Sequence, residues 1–335
     1  MKDLYGRLGS IGLPRKYVKT VALPSWWDDE AASNPSGYAE GALFIARHLG
    51  LEYESLVDSN AKIRVYKPKE CKFKKREGTT DEDLLLSQSI SVRAAHLAAS
   101  AMSKEYKELP PSAGEVRQEI LSRGARCVNL QALVDYCWSI GIPVLHVSRF
   151  PASARKMDGL AACVEGRPVI VISRREHHSA WLLFILAHEL GHIAHRHVCD
   201  DAVILDERID EKSSDSEEKE ANAFAIQLLT GDQDCQFRAT GRWPNAEDLA
   251  QSAMDLSRKH GIDAGHIALN YGHTMGKFFP VARAALKIIE PKPEAIRLIG
   301  KYVAKNLDWS MLPSESCEFL MRVTQPNSDD NVPAG

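Results

Sequence analysis

Residues 187–192 read Ala187-His188-Glu189-Leu190-Gly191-His192, directly after an apolar run that begins at Trp181. Length and composition predict a helix from about 178 to 197, apolar on nearly every side until His188. A helix of that kind belongs in the interior. Histidines at i and i+4 share one helix face, so both imidazoles can reach one ion. Zinc accepts neutral imidazole and imposes no ligand-field geometry, which makes His188 and His192 a fitting half-site. Glu189 stands beside the first ligand, where its carboxylate can take a proton from a water that a metal activates. Left unsatisfied, two histidines and a glutamate in a buried helix would cost several kcal/mol, and a metal ion removes that cost.

A hydrolytic zinc needs a third protein ligand and one open position. Downstream, Glu217-Glu218-Lys219-Glu220-Ala221-Asn222-Ala223-Phe224-Ala225 offers carboxylates on a predicted helix, 216–230, closed by Gly231-Asp232. Acidic residues also favour the first turn of any helix, because its amide end is positive. Spacing alone therefore leaves Glu217, Glu218 and Glu220 open. His195 and His197 do not extend the motif, because the metzincin pattern needs glycine where His195 stands and histidine where Val198 stands. Both are expected on the surface at the helix end, where a cation suits the dipole.

His188-Glu189-Leu190-Gly191-His192, followed by Glu218-x-x-Ala221-Asn222-x-Phe224-Ala225, resembles the ImmA/IrrE family of metallopeptidases. The preceding stretch is similar too: Gly141-Ile142-Pro143-Val144, a hairpin ending Ile170-Val171-Ile172-Ser173, then the long helix. The resemblance covers roughly residues 80 to 235. It implies that Glu218, three residues before the Ala-Asn pair, is the third zinc ligand. It also implies a zinc endopeptidase acting on a helix-turn-helix (Xre-type) repressor encoded nearby, which switches on damage-response, mobile-element or defence genes. The chain departs where the family's helix often ends Leu-Leu-Met-Pro, since here it ends Leu228-Leu229-Thr230-Gly231.

Outward from the motif, the expected fold class is α+β. It is a zincin-like core of helices with a small sheet of three or more strands, flanked by helical N- and C-terminal regions. Leu160–Glu165 and Pro168–Ser173, joined by Gly166-Arg167, read as a hairpin, preceded by a strand over 142–147. Ser112 and Asn129 are placed to cap helices 113–123 and 130–140. The organisation reads as a degenerate helix-turn-helix-like region (1–60), a linker with a basic run from Lys67 to Arg76 (61–80), the metallopeptidase domain (81–235), a helical C-terminal region (236–324) and a disordered tail (325–335). Phe44 to Leu56 resembles the closing helices of Xre-type domains, but Pro24-Ser25-Trp26-Trp27-Asp28-Asp29 is acidic where DNA phosphates would lie.

The 335 residues carry 42 Lys and Arg against 45 Asp and Glu, a net charge of −3, which argues against a chain-wide nucleic-acid surface. The seven cysteines (71, 127, 137, 163, 199, 235 and 317) form no Cys-x-x-Cys and suggest neither a disulfide framework nor a zinc knuckle. No stretch has the length of a signal peptide or a membrane span, so a cytoplasmic protein is expected. Tyr271, His266 and His273 are candidates for a second group that stabilises the oxyanion. An extended substrate could add to an exposed strand of the sheet. Two other function classes stand beside the peptidase: a non-catalytic regulator or toxin-like partner that binds an Xre-type protein, and a DNA-binding regulator acting through the N-terminal region.

Overall fold

The apolar run before His188 forms a helix, Ser179–Ala194, in which every residue from Ala180 to Ala194 is buried. Burying side chains such as Leu182, Leu183, Ile185 and Leu186 contributes about 1.5–3 kcal/mol each. This buried rod is the axis on which the rest is arranged. The computed structural model describes residues 1–66, 70–74, 81–154, 157–198, 202–206, 215–239, 241 and 243–325.

In chain order, α1 (Lys2–Ser10), a short α2 (Arg15–Tyr17), α3 (Pro35–Leu49) and α4 (Tyr53–Val57) precede the first strand, β1 (Glu70–Lys74). Then come α5 (Asp81–Ser100), α6 (Ala113–Ser122), α7 (Leu130–Ser139), β2 (Val144–His146), β3 (Gly159–Val164), β4 (Arg167–Ile172) and the central helix, α8 (Ser179–Ala194). After it lie β5 (Ala202–Asp206), α9 (Ser216–Thr230), α10 (Ala246–His260), α11 (Ala264–Met275), α12 (Phe279–Ile289), α13 (Ala295–Asn306) and α14 (Ser314–Thr324).

Local chemistry sets many of these boundaries. Ser112 and Asn129 accept the backbone N–H of Glu115 and Ala132 and so open α6 and α7. Asp215 caps α9 through Glu217 N, and Gly231 closes it in the left-handed region. The two-residue turn between β3 and β4 has positive φ at both Glu165 (49°) and Gly166 (77°), the twist that suits a tight hairpin. Proline at the start of α3 and of α12 sits where a missing N–H costs nothing.

The sheet has five strands in the order β1-β5-β3-β4-β2. β3 pairs antiparallel with β4 and with β5, whereas β2 joins β4 and β1 joins β5 in parallel. α8 packs across β3 and β4, with α7, α9 and α11 around it. This is the expected α+β architecture with a small mixed sheet. One apolar core runs from Leu4 to Val323 and so includes the N-terminal helices and α14. A second, smaller core gathers α10, α11 and α12 around Ala180 and Trp181.

Two details differ from the sequence reading. Within the basic run, Glu70–Lys74 is no linker: it joins the sheet beside Ala202–Asp206, in parallel. The long helix stops at Ala194, three residues before His197. The expected tail lies outside the described residues from 326 onward. Among the described residues, no helix is long and apolar enough to cross a membrane.

The C-terminal helices also hold the start of α8. His178 makes no side-chain cap there. Instead, the Glu290 carboxylate accepts both the N–H (2.7 Å) and the hydroxyl (2.8 Å) of Ser179. Trp181, one turn on, packs against Phe279 under the guanidinium of Arg174, 4.2 Å from its ring centre.

Candidate metal centre

Helices α8 and α9 cross closely because Gly191 has no side chain. A Cβ there would lie 2.9 Å from the Ala221 Cα and 3.0 Å from its carbonyl oxygen, well inside van der Waals contact. The close crossing puts Glu218, in the first turn of α9, over one face of α8. His188 and His192 present Nε2 atoms 3.1 Å apart, and Glu218 reaches them with Oε2 at 3.6 Å and Oε1 at 3.4 Å. Both histidines are fully buried and Glu218 is 4% exposed.

The donor set fits a metal on geometry alone. His188 Nδ1 donates to Asn222 Oδ1 at 3.0 Å, which leaves Nε2 as the lone-pair nitrogen. That lone pair and the Glu218 carboxylate then face each other with at most one imidazole N–H, from His192, to share. Glu218 Oε1 accepts no hydrogen bond among the described residues. A cation placed among buried acceptors that converge in this way satisfies them all at once. One ligand atom from each of His188, His192 and Glu218 lies within 4.8 Å of the others, and the group could hold a metal ion.

Of the three glutamates left open by spacing, the structure brings Glu218 to the histidines. Glu217 lies in the same turn without joining the group, and Glu220 binds His197 instead, Oε2 to Nε2 at 2.9 Å. Glu189 is fully buried one residue beyond His188, and its carboxylate rests on the first residue of β3. A Cβ at Gly159 would fall 2.0 Å from Glu189 Oε1, so only glycine leaves the carboxylate in place.

One expectation is corrected. His197 is not a solvated cation at the helix end: its side chain is 8% exposed and its Nδ1 lies 2.9 Å from Nδ1 of His192. Burial, chiefly, lowers its pKa, with Glu220 acting in the opposite direction. His195 alone takes the exposed place. The candidates Tyr271, His266 and His273 do not join the metal group. Tyr271 is buried in the second core, His266 stacks on Phe184 with ring centres 6.2 Å apart, and His273 packs on Trp181 and Phe279. The strand beside Glu189, β3, is covered on both sides by β4 and β5, and the outer strands of the sheet are β1 and β2. Sequence reasoning gave Asn222 no role, although it is four residues from Glu218 on the same helix face. That spacing was a readable signal.

Residues 143–262 match the family described as IrrE N-terminal-like domain, Peptidase_M78. This segment belongs to the ImmA/IrrE metallopeptidases. The match takes in β2 to β5, both metal-binding helices and α10, and it ends before α11. The chain thus carries a metallopeptidase domain of the ImmA/IrrE kind, in agreement with the resemblance read from the two motifs. No curated protein and no solved structure matches the chain.

Proposed function

We propose that the protein is a zinc endopeptidase of the cytoplasm that cleaves a helix-turn-helix (Xre-type) repressor and so derepresses stress, mobile-element or defence genes. The observation that carries the reading is the buried His188–His192–Glu218 group, with the equally buried Glu189 next to His188 on the same helix. Two imidazoles and one carboxylate are a donor set that zinc takes in hydrolytic enzymes, with one position left open. Zinc bound there supplies Lewis acidity toward a scissile carbonyl and lowers the pKa of water at the open position.

The chain's own groups do the rest. Asn222 orients His188 through Nδ1. Glu189, pressed against Gly159, accepts the proton of the attacking water and returns it to the leaving amine. Burial of the group excludes bulk water and strengthens each of these interactions. The repressor as substrate rests on the family resemblance.

The test is incubation of the zinc-loaded protein with the helix-turn-helix protein encoded beside it, followed by intact mass measurement. Discrete fragments that vanish with Glu189→Gln support the proposal. An uncut partner that binds equally well to the parent and to Glu189→Gln would favour a non-catalytic regulator.

A further inference from the structure

The turn that ends α8 folds His197 back onto the ligand His192. His195 closes the helix, and Arg196 takes a left-handed conformation with φ of 55°. The N–H of Arg196 then donates to the Ile193 carbonyl at 3.0 Å and that of His197 to the His192 carbonyl at 2.9 Å. This double closure is the Schellman pattern, which usually places glycine at the left-handed residue. Here an arginine holds that conformation, which L side chains rarely adopt. The result is that the His197 ring lies beside His192, ring centres 5.2 Å apart, instead of in solvent.

Three contacts in series follow: Glu220 Oε2 to His197 Nε2 at 2.9 Å, His197 Nδ1 to His192 Nδ1 at 2.9 Å, and His192 Nε2 in the metal group. A carboxylate only accepts, so the nitrogen of His197 that faces it carries a proton. With that proton on Nε2, a ring bearing a single N–H offers a lone pair at Nδ1. His192 must then donate from its own Nδ1, which leaves its Nε2 lone pair facing His188 and Glu218. The opposite assignment would set His197 Nε2 as an acceptor against the Glu220 carboxylate. Glu220 thus decides, across two rings, which nitrogen of His192 is free for the metal.

We infer that His197 and Glu220 form a hydrogen-bonded relay that fixes the tautomer and orientation of His192. They are positioning residues of the metal centre. Asn222 performs the same task for His188 in a single step, so both imidazoles are held from behind. The inference rests on the zinc reading of the site but is tested separately from it. Loss of such outer support typically weakens metal binding by about 10–100-fold.

The experiment measures zinc affinity of the full chain by competition with a chromophoric chelator, together with imidazole nitrogen shifts of the metal-free protein by NMR. His197→Phe keeps an aromatic ring without the acceptor and is expected to weaken zinc binding by about 10–100-fold. Glu220→Leu, at a half-exposed position, is expected to cost about tenfold, and Glu220→Gln, which retains an acceptor oxygen, to restore most of that loss. In the metal-free parent, the His192 proton is expected on Nδ1. Unchanged zinc affinity in both His197→Phe and Glu220→Leu, with only the unfolding midpoint lowered, would reduce the pair to a structural role. A His192 proton found on Nε2 would overturn the relay outright. If His197→Phe does not fold, Glu220→Leu and the parent's tautomer still decide. If the parent binds no zinc, the zinc reading fails, and the tautomer measurement still judges the relay.

Discussion

Replacing Gly191 with alanine separates local helix preference from the demands of the metal site. The added Cβ would meet the Ala221 Cα at 2.9 Å, its carbonyl oxygen at 3.0 Å and the Phe224 Cβ at 3.2 Å. The two closest atoms are backbone and cannot rotate away, so α8 and α9 must part by about half an ångström to restore normal contact. Overpacking of this kind costs about 1–3 kcal/mol. Alanine's better helix propensity offsets about 1 kcal/mol of that. The clash outweighs the propensity gain over most of that range, for a net loss of up to about 2 kcal/mol. Because Glu218 stands on one helix and both histidines on the other, the same displacement should weaken zinc binding by roughly tenfold. Urea unfolding of the metal-free Gly191→Ala protein and a zinc competition titration measure the two effects. A variant as stable as the parent, with the same zinc affinity, would refute the argument that this glycine sets the helix crossing.

Other outcomes follow from the same geometry. Gly159→Ala should displace the Glu189 carboxylate, whose Oε1 lies 2.0 Å from the new Cβ, and lower turnover by at least about 100-fold, the usual worth of a positioned base. Its zinc content should stay at the parent level, and equal loss of metal and turnover would contradict this. Zinc at about 1,000 times its dissociation constant should stabilise the fold by about 4 kcal/mol, read as a rise in unfolding temperature that a chelator reverses. His48, stacked on Phe319 and bonded to the Ala22 carbonyl, has its pKa lowered by burial to about 4. Its neutral form is the one the fold holds, so its stabilisation is complete above the unfolded pKa of about 6.5. It is lost as pH falls from there toward 4, by about 3 kcal/mol in total. Urea unfolding at a series of pH values should show this slope in the parent and a flatter one in His48→Gln, and equal slopes would remove His48 as the cause.

The sequence made the centre of the molecule legible because its signals were local. The apolar run before His188, the i and i+4 histidines and the caps at Ser112, Asn129 and Gly231 each depend on neighbours within a turn or two, and each appears where expected. The β3–β4 hairpin was readable from one glycine between two apolar runs. What stayed hidden depends on contacts between distant segments. Pairing of Glu70–Lys74 with Ala202–Asp206 joins stretches more than 100 residues apart, and each is short and set in a strongly charged surrounding sequence. His197 was misplaced because the turn that carries it has arginine, not glycine, in the left-handed position. Charge alone could not choose among Glu217, Glu218 and Glu220, since all three favour a helix start, and only the crossing of α8 and α9 separates them. The cap that Glu290 gives α8 spans more than 100 residues and has no sequence signature.

The account stands on one ion shared between two helices. Elemental analysis of purified parent, Glu218→Ala and Glu217→Ala proteins, each dialysed against the same low zinc concentration, tests that claim most directly. The geometry predicts about one zinc per chain for the parent and for Glu217→Ala, and almost none for Glu218→Ala. Full zinc occupancy in Glu218→Ala, or a metal-free parent, would contradict it.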